Sequence, residues 1–126
     1  MFIAETDNQH SFDRSICPIA NVLDLVGDKW TLLVVRDLIL GKSYYKEFAE
    51  SPEGIPTNIL ADRLKRLEKV GIVLKTPYCL KPTRYQYELT EKGKDLVPIL
   101  ESMVSWATKY LPGTQVFPVH EPKKRR

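Results

Sequence analysis

The side chains of this sequence that are best suited to chemistry are basic, and they are concentrated in one stretch. Between Ile55 and Tyr87, seven lysine and arginine residues stand against two acidic residues, a net charge of +5, whereas the whole chain carries only +3. Residues 1–40 hold three basic and six acidic residues. Such a concentration of positive charge is typical of a surface that binds phosphate, above all the backbone of a nucleic acid.

Other reactive groups are sparse. Cys17 and Cys79 form no CxxC pair, which argues against a zinc site or a disulfide framework, and His10 and His120 lie in the terminal segments. The chain has no glycine-rich phosphate loop, no Ser/His/Asp or Cys/His set in its central region and no suggestively spaced pair of carboxylates. We therefore expect neither an enzyme nor a bound metal or other cofactor.

The basic stretch begins with an amphipathic helix, which we predict over residues 56–70. A turn of about 100° per residue puts an apolar stripe on one side, which should face a core. The stripe consists of Leu60, Leu64, Leu67 and Gly71, and the opposite side carries Asn58, Asp62, Lys65, Arg66 and Lys69. In the first turn, Thr57 and Asn58 are small polar side chains able to reach base edges or phosphates in a major groove.

The hydrophobic period then changes to two, which is typical of strands. Residues 72–77 and 85–90 alternate and flank a tip at residues 80–84, so we predict a β-hairpin that carries Lys81 and Arg84. A basic hairpin directly after a basic helix offers a second phosphate contact about one groove away. A winged helix binds DNA with such a helix and hairpin.

Two helices are predicted near the start of the chain. The first runs from Pro18, which suits a first helical position, to Val26 and ends at Gly27. Asp28 can cap the second helix, over residues 30–40. That helix is apolar on nearly all sides and should be the most buried element.

Two further helices flank the basic stretch. Ser43 can cap a short supporting helix over residues 43–50, which completes a helix-turn-helix with the predicted recognition helix. Thr90 can cap a last helix that continues to Leu111 and is bent at Pro98, because a proline inside a helix loses a backbone hydrogen bond. This last helix has more apolar surface than a small core requires.

The predicted fold class is α+β, mainly α: a winged helix-turn-helix with an extra C-terminal dimerisation helix. We expect one winged-helix domain for DNA binding and dimerisation over residues 16–111, a flexible N-terminal arm over 1–15 and a flexible basic tail over 112–126. There is no apolar run of about 18 residues and no secretory signal pattern. A cytoplasmic protein without membrane contact is the expectation.

The ordered set of residues from Cys17 to Trp106 resembles the HxlR family, bacterial transcriptional regulators whose winged helix is related to that of the MarR regulators. The resemblance rests on Cys17-Pro18, Gly27-Asp28-Lys29-Trp30, Leu33, Arg36, Phe48, Gly54-Ile55, Leu60, Arg63-Leu64, Leu67-Glu68, Gly71, Arg84, Tyr87, Leu89-Thr90 and Gly93. No short string among these suffices, but the whole order over the chain is specific.

The resemblance implies a homodimer that binds double-stranded DNA. Its first and last helices would pair across a two-fold axis, and one recognition helix would enter each half of an inverted repeat. The surplus apolar face of the last helix favours such a partner. The alternative is that this face folds back on the chain's own wing or first helix.

The start of the recognition helix departs from the family pattern. Many relatives have a serine after Gly-Ile, where this chain has Pro56 and Thr57. Either Ile55 caps the helix with Pro56 at its first position, or Thr57 caps it one residue later. The choice decides which of Thr57 and Asn58 meets bases.

Individual basic residues allow more than one role. Lys65 and Arg66 are candidates for phosphate contacts, as is Lys81 in the wing. Arg63 borders the apolar stripe and either braces the helix or touches DNA. Arg84 either enters the minor groove or holds a phosphate, unless a salt bridge anchors it to the hairpin.

Cys17 is a candidate redox sensor. Some HxlR-type regulators sense oxidants or electrophiles with a cysteine at this position, and the N-terminus of a helix favours a thiolate. The alternative is a small buried hydrophobic residue. Cys79 has no motif around it and is interpreted as a structural or incidental thiol.

Together these features predict a sequence-specific DNA-binding transcriptional regulator, a repressor in the simplest case. It would act as a homodimer on an inverted-repeat operator and could respond to redox or electrophile stress through Cys17. The alternative function is a winged-helix module that binds an acidic protein partner, which competition by unrelated duplex DNA would distinguish.

Overall fold

Alternating patterns of apolar residues and turn residues divide the chain into six helices and two strands within residues 14–115, the part that the computed structural model describes. The helices are α1 (Pro18–Val26), α2 (Thr31–Ile39), α3 (Tyr45–Ala49), α4 (Thr57–Lys69), α5 (Glu91–Lys94) and α6 (Val97–Tyr110), and the strands are β1 (Val73–Leu80) and β2 (Thr83–Leu89). The strands form one antiparallel hairpin after α4. This mainly helical arrangement with a two-stranded wing and a C-terminal helix confirms the predicted fold class.

The core forms where α4 lies against α2 and α3. Leu60, Leu64 and Leu67 are almost completely buried, as the predicted stripe requires. They pack in one cluster with Val34, Val35, Leu38, Phe48, Ile55, Ile72 and Val73. Since burial of a leucine side chain contributes about 1.5–3 kcal/mol, this cluster holds α4 by one side and leaves its other side to solvent.

Asp28 stabilises the start of α2 and connects it to α4. One of its carboxylate oxygens accepts hydrogen bonds from the backbone amides of Trp30 (3.0 Å) and Thr31 (3.2 Å), and the other accepts one from the Thr31 hydroxyl. Asp28 thus bonds amides at the start of α2, as predicted, although the residue at the N-cap position is Trp30. The Arg63 Nε of α4 donates to the same carboxylate at 2.9 Å.

The surroundings of Asp28 change its acidity. Burial by itself raises the pKa of this carboxyl, but the hydrogen bonds from Thr31, Arg63 and the Trp30 amide outweigh that effect and hold the pKa well below its ordinary range. The Arg63 pKa is raised in turn, mainly by its hydrogen bond to Asp28. The charged forms of both groups therefore belong to the folded state.

A second carboxylate fixes the other end of α2. Asp37 is only 3% exposed, and it accepts hydrogen bonds from the Ser51 hydroxyl and, at 2.9 Å, from Nη2 of Arg36. Arg36 also forms a salt bridge of 2.7 Å with Glu53. Because Ser51 and Glu53 lie in the turn between α3 and α4, this network sets the path of the chain into α4.

The predicted cap of the third helix is wrong. Helix α3 begins at Tyr45, two residues later than expected, and the Ser43 hydroxyl donates to the Tyr87 carbonyl instead. The Ser43 carbonyl accepts from the Tyr87 amide at 2.8 Å, and Tyr44 pairs with Gln86. Strand β2 thus draws residues 43–44 into an extended conformation, which removes them from the helix.

The single bent C-terminal helix is also wrong. Thr90 caps only the short α5, where its hydroxyl accepts from the Gly93 amide at 3.1 Å. A separate helix, α6, begins at Val97 with Pro98 in its first turn. A first-turn proline loses no hydrogen bond, because the N–H groups there have no partner within the helix.

Two further predictions concern the terminal segments of the chain and membrane-spanning helices. Most of the predicted arm (1–15) and tail (112–126) falls on residues 1–13 and 116–126, which lie outside the described residues, as do His10 and His120. Among the described helices, none has the length and apolar character needed to cross a lipid bilayer.

A substitution at Asp28 tests the link between α2 and α4. Asp28→Asn keeps the shape of the side chain but removes its charge, so it should lower the free energy of unfolding at neutral pH by about 1–3 kcal/mol. Denaturant unfolding at a fixed protein concentration measures the change. The matched control is Asp24→Asn, which removes an exposed ion pair with Arg14 and should cost less than about 1 kcal/mol.

The stabilisation by Asp28 should also depend on pH. Because the folded-state pKa of Asp28 lies below its ordinary value of 3.8, its stabilisation is complete above that value and is lost as the pH falls through the folded-state pKa. The stability difference between wild type and Asp28→Asn should therefore shrink below about pH 4. Equal stability of the two proteins at neutral pH would contradict the proposed link.

Candidate nucleic-acid interface

Helix α4 begins in neither of the two ways that the sequence suggested. Pro56 occupies the N-cap position with extended backbone angles (φ −61°, ψ 142°), and Thr57 is the first helical residue. Because proline has no polar side chain, the first amides of α4 receive no hydrogen bond from their N-cap residue. Thr57 and Asn58 form the first turn, and both side chains are exposed.

The solvent side of α4 carries the predicted contact residues. Asn58, Lys65 and Lys69 are exposed and lie on the side of the helix opposite Leu60. None of the three makes a side-chain hydrogen bond or an ion pair with another residue of the described part of the chain. Their donors are therefore available to a polyanion.

Arg63 is set apart from the other predicted contact residues. Its side chain is only 17% exposed, and its guanidinium group binds Asp28 and the neighbouring Asp62. Of the two roles that the sequence allowed, this geometry supports the brace, and we leave Arg63 out of the interface. Its donors hold α4 against α2.

Arg66 has an intermediate position. Its side chain is partly buried, and Nη2 lies 3.4 Å from the carbonyl oxygen of Leu25 at the end of α1. This weak contact occupies one donor and leaves the remaining guanidinium donors. Arg66 therefore sits at the border between α4 and α1, beside the solvent side of α4.

The hairpin adds a second group of cations. Lys81 and Arg84 are exposed at and beside the tip, and within the described residues neither side chain has an ion pair. The salt bridge that could have anchored Arg84 is thus absent from this part of the molecule. Lys75, nearer the base, is occupied: its Nζ lies 4.3 Å above the Tyr85 ring and 3.7 Å from Glu68.

Tyrosines between α3 and the hairpin were missed by the sequence analysis. A groove of about 700 Å³ separates these elements, and its lining includes Tyr44, Tyr45, Tyr78, Tyr85 and Tyr87. The Tyr45 hydroxyl donates to the Thr57 carbonyl at 3.0 Å, and the Tyr44 and Tyr78 rings meet edge to face at 5.0 Å. The signal in the sequence was the adjacent pair Tyr44-Tyr45, but only the fold brings it to the wing.

A separate surface is apolar. Along α6, one stripe is exposed at Ile99 (45%), Met103 (52%), Trp106 (59%) and Tyr110 (56%), and α6 has no buried residue. On α1, Ile19, Val22 and Leu23 are likewise exposed, whereas Val26 is buried. Exposed apolar stripes on two helices of one small domain are typical of an association surface.

Cys17 lies at the start of α1, next in sequence to its exposed apolar residues. It is exposed and occupies the N-cap position of α1, directly before Pro18. Its backbone amide donates to the Ser15 hydroxyl at 2.9 Å. The thiol is thus accessible to reagents in the single chain, whereas Cys79 in β1 is partly buried.

Comparisons with known proteins agree with this geometry. A family model described as HxlR-like helix-turn-helix matches residues 25–115. The uncharacterized HTH-type transcriptional regulator Rv3095 of Mycobacterium tuberculosis is 34% identical over 117 residues, which cover 93% of this chain and 72% of the relative.

Solved structures show the same fold. The crystal structure of PA1607 is similar with a TM-score of 0.74 and 33% identity, covering 92% of this chain and 82% of the other. The redox regulator HypR in its oxidized form has a TM-score of 0.67 and 33% identity, covering 79% of this chain and all of the other. The chain therefore belongs to the HxlR-like helix-turn-helix family and is a DNA-binding transcriptional regulator, not an enzyme.

Proposed function

We propose that the protein is a sequence-specific regulator that binds an inverted-repeat operator as a homodimer. The observation that carries the proposal is the solvent side of α4, where Asn58 and Lys65 are exposed next to a hairpin that presents Lys81 and Arg84. An α-helix fits the major groove, and the hairpin reaches the neighbouring phosphates or minor groove.

Different residues of this interface have different tasks. Thr57 and Asn58 lie in the first turn of α4, the part of a recognition helix that contacts base edges, so they supply discrimination. Lys65, Arg66, Lys81 and Arg84 supply affinity through phosphates, which carry no sequence information. Repression is the simplest mode of action in the cytoplasm, because occupying a promoter requires nothing beyond binding.

The homodimer is supported by the apolar stripes of α1 and α6. They lie on helices that are not part of the helix-turn-helix or the wing, so association through them leaves α4 and the hairpin free. Closed association through one self-complementary patch has two-fold symmetry. Two α4 helices related by a two-fold axis match an inverted repeat.

Redox control through Cys17 is the second part of the proposal. Its support is the exposed thiol beside the apolar surface of α1, together with the similarity to HypR, which is described as a redox regulator. Oxidation or alkylation at the N-cap position of α1 would alter how two subunits pack. The spacing of the two α4 helices, and hence operator binding, would change with it.

One substitution on α6 tests the dimer. Met103→Glu places a charge in the exposed stripe and should convert dimer to monomer, because an interface core does not accept an unpaired charge. Since Met103 is 52% exposed in the single chain, the helix content should not change. Light scattering measures the mass and circular dichroism the helix content.

Ser105→Glu, on the polar side of the same helix, is the matched control and should leave the dimer intact. A Met103→Glu protein that remains dimeric at micromolar concentration would exclude this stripe as the interface.

Two substitutions on α4 separate affinity from discrimination. Lys65→Ala should weaken binding to all duplexes alike and lower the slope of log affinity against log salt by about 1 per half-site. Asn58→Ala should instead reduce the preference for operator over random duplex by roughly 1–3 kcal/mol. Titration of labelled operator and random duplex at several salt concentrations gives both quantities.

Lys94→Ala, which removes an exposed lysine outside α4 and the wing, serves as the control and should change neither quantity. The assignment of Asn58 to base reading fails if its variant loses the same free energy on operator and on random DNA.

Treatment with diamide tests Cys17. Oxidised wild type should bind operator more weakly or more tightly than reduced protein, whereas Cys17→Ser should not respond and Cys79→Ser should respond like wild type. Operator titration before and after treatment measures this, and mass spectrometry confirms the modified thiol. Unchanged affinity of wild type with a modified Cys17 would leave this residue without a regulatory role.

A further inference from the structure

The tip of the hairpin carries an apolar side chain that the proposed interface does not use. Leu80 is 73% exposed, next to Lys81, and no acidic residue occurs between Lys69 and Tyr87. The charged residues beside it in the hairpin, Lys81 and Arg84, are both basic. An apolar side chain between cations is suited to a partner with a negatively charged rim and an apolar interior.

A β-bulge determines the direction in which Leu80 points. Pro77 pairs with Tyr85, but the next pair is Cys79 with Arg84, so Tyr78 is an extra residue in β1. The shift puts Leu80 opposite Thr83, on the face of β2 that also carries Tyr85. Bulges commonly redirect a side chain in this way.

Without the bulge, Leu80 would share the opposite face with Leu74 and Thr76, since residues two apart lie on one side of a strand. The face it occupies instead is turned toward the helix-turn-helix: the Tyr87 ring of that face packs against Phe48 of α3 at 6.1 Å. The bulge therefore places Leu80 on the side of the hairpin nearer to α4.

The groove between α3 and the hairpin lies along this face. Thr83 and Tyr85 line the groove on the hairpin side, and Tyr45 lines it on the side of α3. The Tyr45 hydroxyl is bonded to Thr57, the first residue of α4. If α4 occupies a major groove, we expect the duplex to pass the inner face of the hairpin tip.

We propose that Leu80 enters the minor groove beside each half-site and wedges between two adjacent base pairs, which bends the duplex. This inference rests on the proposed binding of α4 in the major groove. A single side chain, unlike the whole hairpin, is narrow enough for a groove about 6 Å wide, and Lys81 and Arg84 on either side of the two-residue tip bind the flanking phosphates.

The chemistry of the tip matches that of known minor-groove wedges. Leucine and proline side chains inserted at a base step unstack it and kink DNA by about 20–90° toward the major groove. Steps that unstack easily, such as TA and CA, should then be favoured at the wing position although no side chain hydrogen-bonds to those bases. The wedge would thus add sequence preference outside the major-groove contacts.

The experiment measures the bend directly. The probe is a short duplex that carries the inverted repeat selected by the wild-type protein from random DNA, with a donor and an acceptor fluorophore at its ends. Wild type should shorten the end-to-end distance at saturating protein. Leu80→Ala should lose most of the bend and bind about tenfold more weakly, because the buried leucine surface is lost.

Two variants serve as controls. Leu74→Ala removes a leucine that is 50% exposed on the outer face of the same hairpin, and it should change neither bend nor affinity. Lys81→Ala should weaken binding and reduce the salt slope by about 1 per half-site but keep the bend. Replacing the TA or CA step at the wing position by a G·C step should weaken wild type and leave Leu80→Ala unaffected.

Failure of this inference is distinguishable from failure of the proposed function. If wild type selects no inverted repeat, the proposed function fails and the wedge fails with it. If wild type binds its repeat without bending it, or if Leu80→Ala bends it equally, only the wedge is overturned. Circular dichroism of Leu80→Ala verifies that the exposed substitution leaves the fold unchanged.

Discussion

The structure depends on burying one side of α4. Leu60, Leu64 and Leu67 are held by the apolar residues of α2 and α3, and the hairpin follows directly from the last turn of α4. Because the buried side cannot rotate toward solvent without exposing this cluster, the direction of the polar side is fixed. The interface therefore does not need to be stabilised by its own residues, and it can be built entirely of side chains that remain in water.

Two carboxylates fix the position of α4 more precisely than apolar packing does. Leucine contacts tolerate small shifts along a helix, whereas hydrogen bonds from charged groups have strict geometry. Asp28 connects the start of α2 to Arg63 in α4, and Asp37 connects its end to Ser51 in the preceding turn. The recognition helix is thus held at two points along its approach, and Arg63, for which the sequence allowed either bracing or DNA contact, provides one of them.

Periodicity allowed most of the fold to be predicted from the sequence, since the stripe of α4, the hairpin and the cap at Asp28 depend on neighbours in the chain. One error arose where a distant segment takes a local group: the Ser43 hydroxyl bonds β2, 44 residues away. The other concerns the C-terminal helix, because the short helix that Thr90 caps ends at Lys94 and Pro98 lies in the first turn of a separate helix. The salt bridge of Arg63 with Asp28 and the ring contact of Tyr44 with Tyr78 likewise depend on tertiary structure, which local sequence patterns do not encode.

The division of α4 into a buried and a solvent side also bears on how such a regulator evolves. Thr57, Asn58 and Lys65 contribute nothing to the core, so exchanging any of them should alter the free energy of unfolding by no more than about 0.5 kcal/mol. After gene duplication, a copy could acquire a new operator through single substitutions without passing through an unfolded intermediate. The same scaffold can in this way diversify its targets in a genome while its stability stays under separate selection.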